Sequence, residues 1–506
     1  MPASRPIARS VVLSIGLLSM PLAAQVHYHD DGRPWNNQAR RGPDSDVPGW
    51  FYNLGITGLR VELMPDEPRH LLVRYVFEGS PAQGRIREGD VLIGVDGRPF
   101  QDEHQNGYGM DVFGARGPIG EFAVALEEAQ TKDGKGRLEV SLRRGPEGTD
   151  RTDVTLPVGR LYGAFGAEFP AACEKSERIY RELCKWLVDQ QGDDGSFGNP
   201  VHNTFAPLAL LASGEKKYLR AVRKNVEFHA RTTQDNDGSW LINWRYMAAG
   251  IVMSEYYLAT REKWVLDELR EVRDFIMSSQ YTDPDQIAAK TKEDRPEDLP
   301  RTPERAIGGW GHNPGFEGYG PICMLTGEGA LTLALMRRCG IDVDEERHQM
   351  AYDFLVRGTG DNGYVWYADE KASDENWADP GRTGAAGLAN FLYPGQSNEH
   401  RENALRHARV MGEHPQSFPD THGSPVLGMG WAAAATSFDP ASFRKLMDAN
   451  RWWFALAQCH DGTYYYQPNR DNAGYGDDSR MNASSVAAFL LSIHRQGLHI
   501  TGKPFE

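Results

Sequence analysis

Apolar residues in the last two thirds of the chain fall into two alternating kinds of stretch. One kind, such as 177–189, is amphipathic and predicts a helix with a single buried face. The other is apolar over most of its circumference and crowded with Ala, Gly and Leu: 205–214, 247–260, 327–340, 384–391, 428–438 and 483–496. Such helices belong inside, with small residues where neighbours come close. Between the two kinds stands a recurring phrase: Gln191 to Asp194-Gly195-Ser196-Phe197, Gln234 to Asp237-Gly238-Ser239-Trp240, and Gln458 to Asp461-Gly462-Thr463-Tyr464. Weaker copies lie at Gly308-Gly309-Trp310-Gly311, Asp361-Asn362-Gly363-Tyr364 and around His422-Gly423-Ser424-Pro425. Asp-Gly provides a tight turn, and self-similarity at a period of roughly 40 to 50 residues marks a repeat architecture. Outer amphipathic and inner apolar helices, alternating about six times, predict a closed double ring, the (α/α)6 toroid.

The first third differs. Runs at 71–77, 90–95, 137–142 and 153–156 read as strands and 122–129 as a helix, which makes a small β-rich domain. Residues 26–48 are polar with almost no aliphatics and predict a flexible linker. Arg5 and Arg9, the apolar run 11–20 and the small residues after it describe a secretory signal peptide. That run is too short to span a bilayer, and no later stretch reaches the length. The expected organisation is a multidomain α+β chain: signal peptide 1–24, linker 25–48, β-rich domain 49–158 and toroid 159–506. The mature protein is expected in the periplasm or outside the cell, with no integral membrane segment.

A length of 506 residues suits two or three domains, and the net charge of -15 argues against nucleic acid or an anionic membrane as partner. Five cysteines make no disulfide scaffold. Cys173 and Cys184, at the entry to the first toroid helix, are an expected pair in an oxidising compartment, while Cys323, Cys339 and Cys459 read as buried thiols.

The Gln-x-x-Asp-Gly-x-aromatic phrase resembles the repeat of terpenoid cyclases and protein prenyltransferases, whose fold is the six-fold toroid. The β-rich segment resembles a bacterial PDZ domain in Gly79-Ser80-Pro81-Ala82 and in Arg87 through Gly97, with Leu54, Gly55 and Ile56 where that family holds a peptide carboxylate. The resemblance implies a groove that takes peptide C-termini as an added strand, or a module packed on the toroid. The order signal peptide, PDZ domain, toroid resembles a family of exported bacterial proteins defined by a domain of unknown function, which implies no activity.

In a toroid the inner helices start at one mouth, so polar residues there are the candidate site. His202, Asn203, Asn243, Arg245, Tyr246, Glu317, Arg382 and Asn482 are candidate ligand-binding residues, and His312, Asn313, Tyr319, Glu328 and Arg480 candidate catalytic ones. Helix N-termini add partial positive charge. The predicted ligand is a polar or anionic small molecule or oligosaccharide. Capping alone also explains His202, Asn203 and Asn243; Glu328, inside an apolar helix, is costly to bury unless paired or protonated.

The acid motif Asp-x-Asp-Asp of squalene-type cyclases is absent. Cys459-His460-Asp461 has the residue types of a prenyltransferase zinc site, but adjacent residues rarely share one metal, so no metal or cofactor is expected. Resemblance to toroidal polysaccharide lyases implies Asn313 and Arg480 as neutralisers of a uronate, with His312 and Tyr319 as base and acid. A glycoside hydrolase needs two carboxylates, for which Glu317 and Glu328 are the candidates. Two functions stay open: a PDZ-toroid binding protein, or a toroid enzyme acting on polysaccharide.

Overall fold

The structure, a computed structural model, describes residues 27–30, 33–36, 51–64, 66–104, 115–145, 147–233, 241–287, 292–293, 303–316, 320–368, 379–395, 397–419, 421, 425–467 and 479–505. The expected signal peptide, Glu317 and Tyr319 therefore lie outside the described residues. Within the expected linker, β1 (His27–Asp30) pairs antiparallel with β2 (Arg33–Asn36).

Alternating aliphatic residues build the N-terminal sheet. β3 (Phe51–Asn53), β4 (Leu59–Leu63), β5 (Leu71–Val76), β6 (Val91–Val95), β8 (Leu138–Arg143) and β9 (Arg151–Leu156) pair in that order, all antiparallel, with β7 (Arg98–Pro99) on β6. Leu59, Val61, Leu71, Val73, Val140 and Leu142 are fully buried beneath α1 (Pro118–Gln130), which contributes Ile119, Phe122 and Leu126. Strand β3 already occupies the outer edge of β4, Asn53 opposite Arg60.

After an irregular crossing the helices alternate as the apolar pattern requires. The outer set is α2 (Glu174–Gln190), α4 (Lys216–Thr232), α6 (Val265–Ser279), α8 (Glu345–Arg357), α10 (Asn398–Glu413) and α12 (Pro440–Ala449), the last extended by α13 (Arg451–Leu456). The inner set is α3 (Pro200–Ala212), α5 (Ile242–Thr260), α7 (Cys323–Arg338), α9 (Pro380–Leu392), α11 (Pro425–Thr436) and α14 (Ser479–Ser492). Each inner helix packs on the next, and α14 packs back on α3, so the ring closes. Close approach explains the inner glycines: a Cβ on Gly384 of α9 would overlap the backbone of Trp431 and Ala432 in α11. Pro200, Pro380 and Pro440 sit at first helical positions behind the side-chain caps of Asn199, Asp379 and Asp439.

The expected Cys173–Cys184 pair does not form; all five cysteines are free and buried. Cys173 is the N-cap of α2 and Cys184 lies three turns along it, about 16 Å away at the helical rise, far beyond disulfide reach. An excursion over residues 281–305, whose density of Asp, Glu, Lys, Arg and Pro suits a solvated loop, is anchored at its ends: Tyr281 is fully buried against Phe316, with Ala306 in the same small cluster.

Sheet and ring share one apolar core. Tyr52 meets Trp452, the Asn53 amide donates to Gln467 Oε1 at 2.9 Å, and buried Lys175 of α2 reaches Glu127 and Gln130 of α1 at 3.3 and 3.2 Å. Gly55 (φ 63°) abuts α13, where a Cβ would lie 2.6 Å from the Ala455 carbonyl oxygen and 2.7 Å from Leu126. Gly55→Val is therefore expected to cost about 2 kcal/mol or more in chemical denaturation. Gly84→Val, at φ 74° with open space around it, should lose only the backbone strain of about 1 kcal/mol.

Candidate functional site

The repeated phrase is a turn that ties the ring together. In the first copy Gly195 adopts φ 92°, the Ser196 amide donates to Asp194 Oδ1 at 2.9 Å, and Gln191 Nε2 donates to Gly195 O and to Ala221 O of the next outer helix. Weak copies keep this geometry: Gly308 and Gly363 have φ 99° and 89°, against 87° at Gly462. Gln280 donates to Gly308 O and to Arg347 O of the next outer helix, so the excursion is inserted inside the third copy. The second copy, 234–240, lies outside the described residues, as does the sixth but for Pro425.

Most candidate polar residues are spent on such turns. Asn203 accepts from the Phe197 amide (2.7 Å) and Asn225 (2.8 Å) and donates to Gly198 O (2.6 Å). His202 completes a capping box with Asn199, and Asn199 Nδ2 donates to Asn482 Oδ1 at 3.3 Å. Tyr246 does not face the mouth: it is buried against Phe275 of α6, ring centroids 3.6 Å apart, with the Arg245 guanidinium 5.9 Å from its ring centre.

Asn313 and His312 cap α5 from 70 residues away. Asn313 Oδ1 accepts the amides of Leu241 (3.1 Å) and Ile242 (3.4 Å), His312 O accepts the Asn243 amide (3.1 Å), and Asn243 Nδ2 donates to Gly311 O (2.8 Å). Trp244 Nε1 donates to His312 Nδ1 at 2.7 Å with the rings stacked. Burial lowers the His312 pKa to about 4, so the ring is neutral and, with Nδ1 accepting, carries its proton on Nε2. That tautomer makes His312 a donor, where the lyase analogy needs a base.

Two of the candidate cations, Arg382 and Arg480, are matched by carboxylates. Arg382 pairs with Asp379 at 3.3 Å, both buried, and lies over Tyr367. Arg480 pairs with Asp461 at 2.7 Å and stands near Tyr465 and Phe77, the latter from the sheet.

Glu328 is different. It is 3% exposed in α7, and its Oε1 accepts from Trp431 Nε1 of α11 at 2.9 Å. Gly329 beside it gives room to Trp310, and Trp431 packs on Phe205, which packs on Phe489. Burial among these rings, opposed only by the indole N–H, pushes the Glu328 carboxyl up to about 8. At neutral pH it is therefore a carboxylic acid, able to donate a proton or a hydrogen bond. No bond among the described residues joins Glu328 to His312, Asn313 or Arg480. Leu54, Gly55 and Ile56 are buried at the junction with α13.

Residues 176–502, most of the ring, match the family model described as Domain of unknown function (DUF6288). The chain belongs to this family. No curated protein matches the DUF6288 chain in sequence. Among solved structures it is similar to an inactive variant of the α-1,6-mannanase GH76A of Salegentibacter sp. HEL1_6 in complex with α-1,6-mannotriose (13% identity, TM-score 0.45, 63% of this chain and 98% of that one). It is similar also to a type II terpene cyclase from Scytonema (12%, 0.39, 63% and 97%) and to a glycosyl hydrolase family 88 protein from Bacteroides vulgatus (12%, 0.40, 64% and 99%).

Two residues of the DUF6288 ring were missed from sequence. Trp431, the partner of Glu328, looks like any core aromatic. Glu255 is a second buried acid in an apolar inner helix, pushed up to about 7 by burial, and carries the signal that singled out Glu328. Among the described residues no group of His, Cys, Asp and Glu is arranged to hold a metal, and burial holds the Cys459 thiol protonated, its pKa up to about 12.

Proposed function

We propose that this is a binding protein whose ring takes an uncharged, hydroxyl-rich ligand at the mouth, with the PDZ-like domain as a fixed brace. One observation carries this reading: Arg382 and Arg480 are already paired with carboxylates while Glu328 keeps its proton. With these two cations matched and Glu328 protonated, the described part of the mouth suits neutral sugars better than uronates. The brace is supported by β3 on the sheet edge and α13 against Gly55, where a peptide would be held. Export of the mature chain, from residues 1–24, belongs to the same proposal.

The test is thermal unfolding of the mature protein with neutral oligosaccharides (cello-, malto- and manno-series) and with oligogalacturonates. Neutral sugars at about 100 times their Kd should stabilise by about 2.7 kcal/mol, a rise of several degrees. A rise with oligogalacturonates alone, or with neither series, sinks the proposal.

The proton held on Glu328 favours one alternative, a polysaccharide hydrolase or lyase that uses Glu328 as general acid. In that case Glu328→Gln would still bind sugar but lose turnover; unchanged turnover rules the role out.

A further inference from the structure

After α14 the chain does not leave the ring. It turns through the short helix Ile493–Arg495, steps through a left-handed Gln496 (φ 49°) and crosses the far end, opposite the mouth. Gly497 lies against the end of α3, its Cβ position 2.6 Å from the Ala212 carbonyl oxygen. Glu255, near the end of α5, accepts the amides of His499 at 3.1 Å and Ile500 at 2.8 Å, one on each carboxylate oxygen. Arg338 of α7 stands 4.4 Å over the ring of Phe505, which stacks on His499 at 4.1 Å. The short helix His499–Thr501 packs on α9 and α11. Residues 497–505 thus reach the five inner helices other than the one they follow, with Leu498 and Ile500 buried.

Holding this crossing with an ionisable group is costly. Glu255 is 1% exposed, and two amide donors replace only part of the water lost by a carboxylate. The groups around it are Lys503 and His499 of the crossing segment and Cys339 after α7, with Arg261 and Arg338 acting on His499. None forms an ion pair with Glu255 among the described residues.

We propose that segment 497–505 is a proton-linked clasp: its docking across the far end of the ring takes up a proton at Glu255, so the clasp holds in mild acid and loosens in alkali. Burial pushes the docked carboxyl up to about 7, with the amides of Ile500 and His499 and the charge of Lys503 pulling it partly back. Undocked, Glu255 faces water and returns toward about 4.3. The docked state binds more protons between those values, so docking weakens as pH rises through that window. Linkage sets the limit at up to about two orders of magnitude between pH 5 and pH 8.

Hydrogen exchange on the full-length protein at pH 5, 6, 7 and 8, corrected for the intrinsic pH dependence of exchange, tests this. Protection of amides 498–505 should fall at least tenfold across the series, beyond any fall it shares with the amides of α8, which report the stability of the ring as a whole. Glu255→Gln, which accepts the same bonds without titrating, should abolish the fall. Tail protection that stays constant or rises with pH in the unaltered protein overturns the proposal, as does a fall that persists in Glu255→Gln. The first outcome needs no variant, so the test stands if Glu255→Gln does not fold.

Discussion

Trp431→Ala is expected to lower unfolding stability by about 4 kcal/mol, measured by chemical denaturation. The indole is fully buried at the centre of the ring, against Phe205 and through it Phe489, so truncation leaves a cavity between three inner helices. Glu328 also loses the single side-chain donor that offsets its burial. Trp431→Phe separates the effects: most of the ring volume stays, the N–H goes, and the loss should be about 1–3 kcal/mol. The Phe variant should also raise the Glu328 pKa further, since the indole is the one group that pulls it down. If Trp431→Ala cost less than about 1 kcal/mol, the packed centre would be wrong.

The ring was legible because its two demands are written locally. Inner helices must be apolar all round and outer ones on one face, and the turn between them needs a residue that tolerates left-handed backbone. Gly195, Gly363 and Gly462 meet that need at φ 92°, 89° and 87°, which is why copies with altered neighbours could still be recognised. The third copy was faint because the excursion separates Gln280 from Gly308, although both keep their roles. The strands of the sheet domain were read to within a few residues, apart from β3, β4 and β7; the pairing of β3 with β4 fills the edge where the PDZ resemblance implied a groove.

The site was less legible, because a polar residue at a helix start has the same appearance whether it binds a ligand or a backbone. His312 and Asn313 were singled out, yet their partners are the first amides of α5, a contact between segments far apart in the chain. Tyr246 was placed at the mouth by its position near a helix start, yet its ring packs on Phe275 of the outer layer. The Cys173–Cys184 expectation failed because it ignored the rise of the helix between them. Glu328 stood out for a physical reason that survives folding: an acid in an apolar helix demands either a partner or a proton. Glu255 met the same criterion, and its partners lie at the chain's end.

Glu328→Gln is expected to stabilise the protein increasingly as pH rises. The folded carboxyl sits at about 8 and the unfolded one near 4.5, so between those values the folded state binds more protons than the unfolded one. Stability from this group is therefore greatest below the unfolded pKa and is lost as pH climbs through the folded pKa. Integrated from pH 5 to pH 9, that loss is roughly 4 kcal/mol. Glutamine keeps the acceptor for Trp431 and never ionises, so the variant escapes the loss. Taking the variant minus the unaltered protein at each pH cancels the shared titrations of Glu255 and of buried His229, His348 and His407, whose pKa values burial lowers to about 4. A difference that grows by several kcal/mol from pH 5 to pH 9 places an uncharged acid at the heart of the ring. A flat difference would mean that Glu328 is hydrated and ionised like a surface carboxylate, and the neutral mouth on which the ligand proposal rests would fall with it.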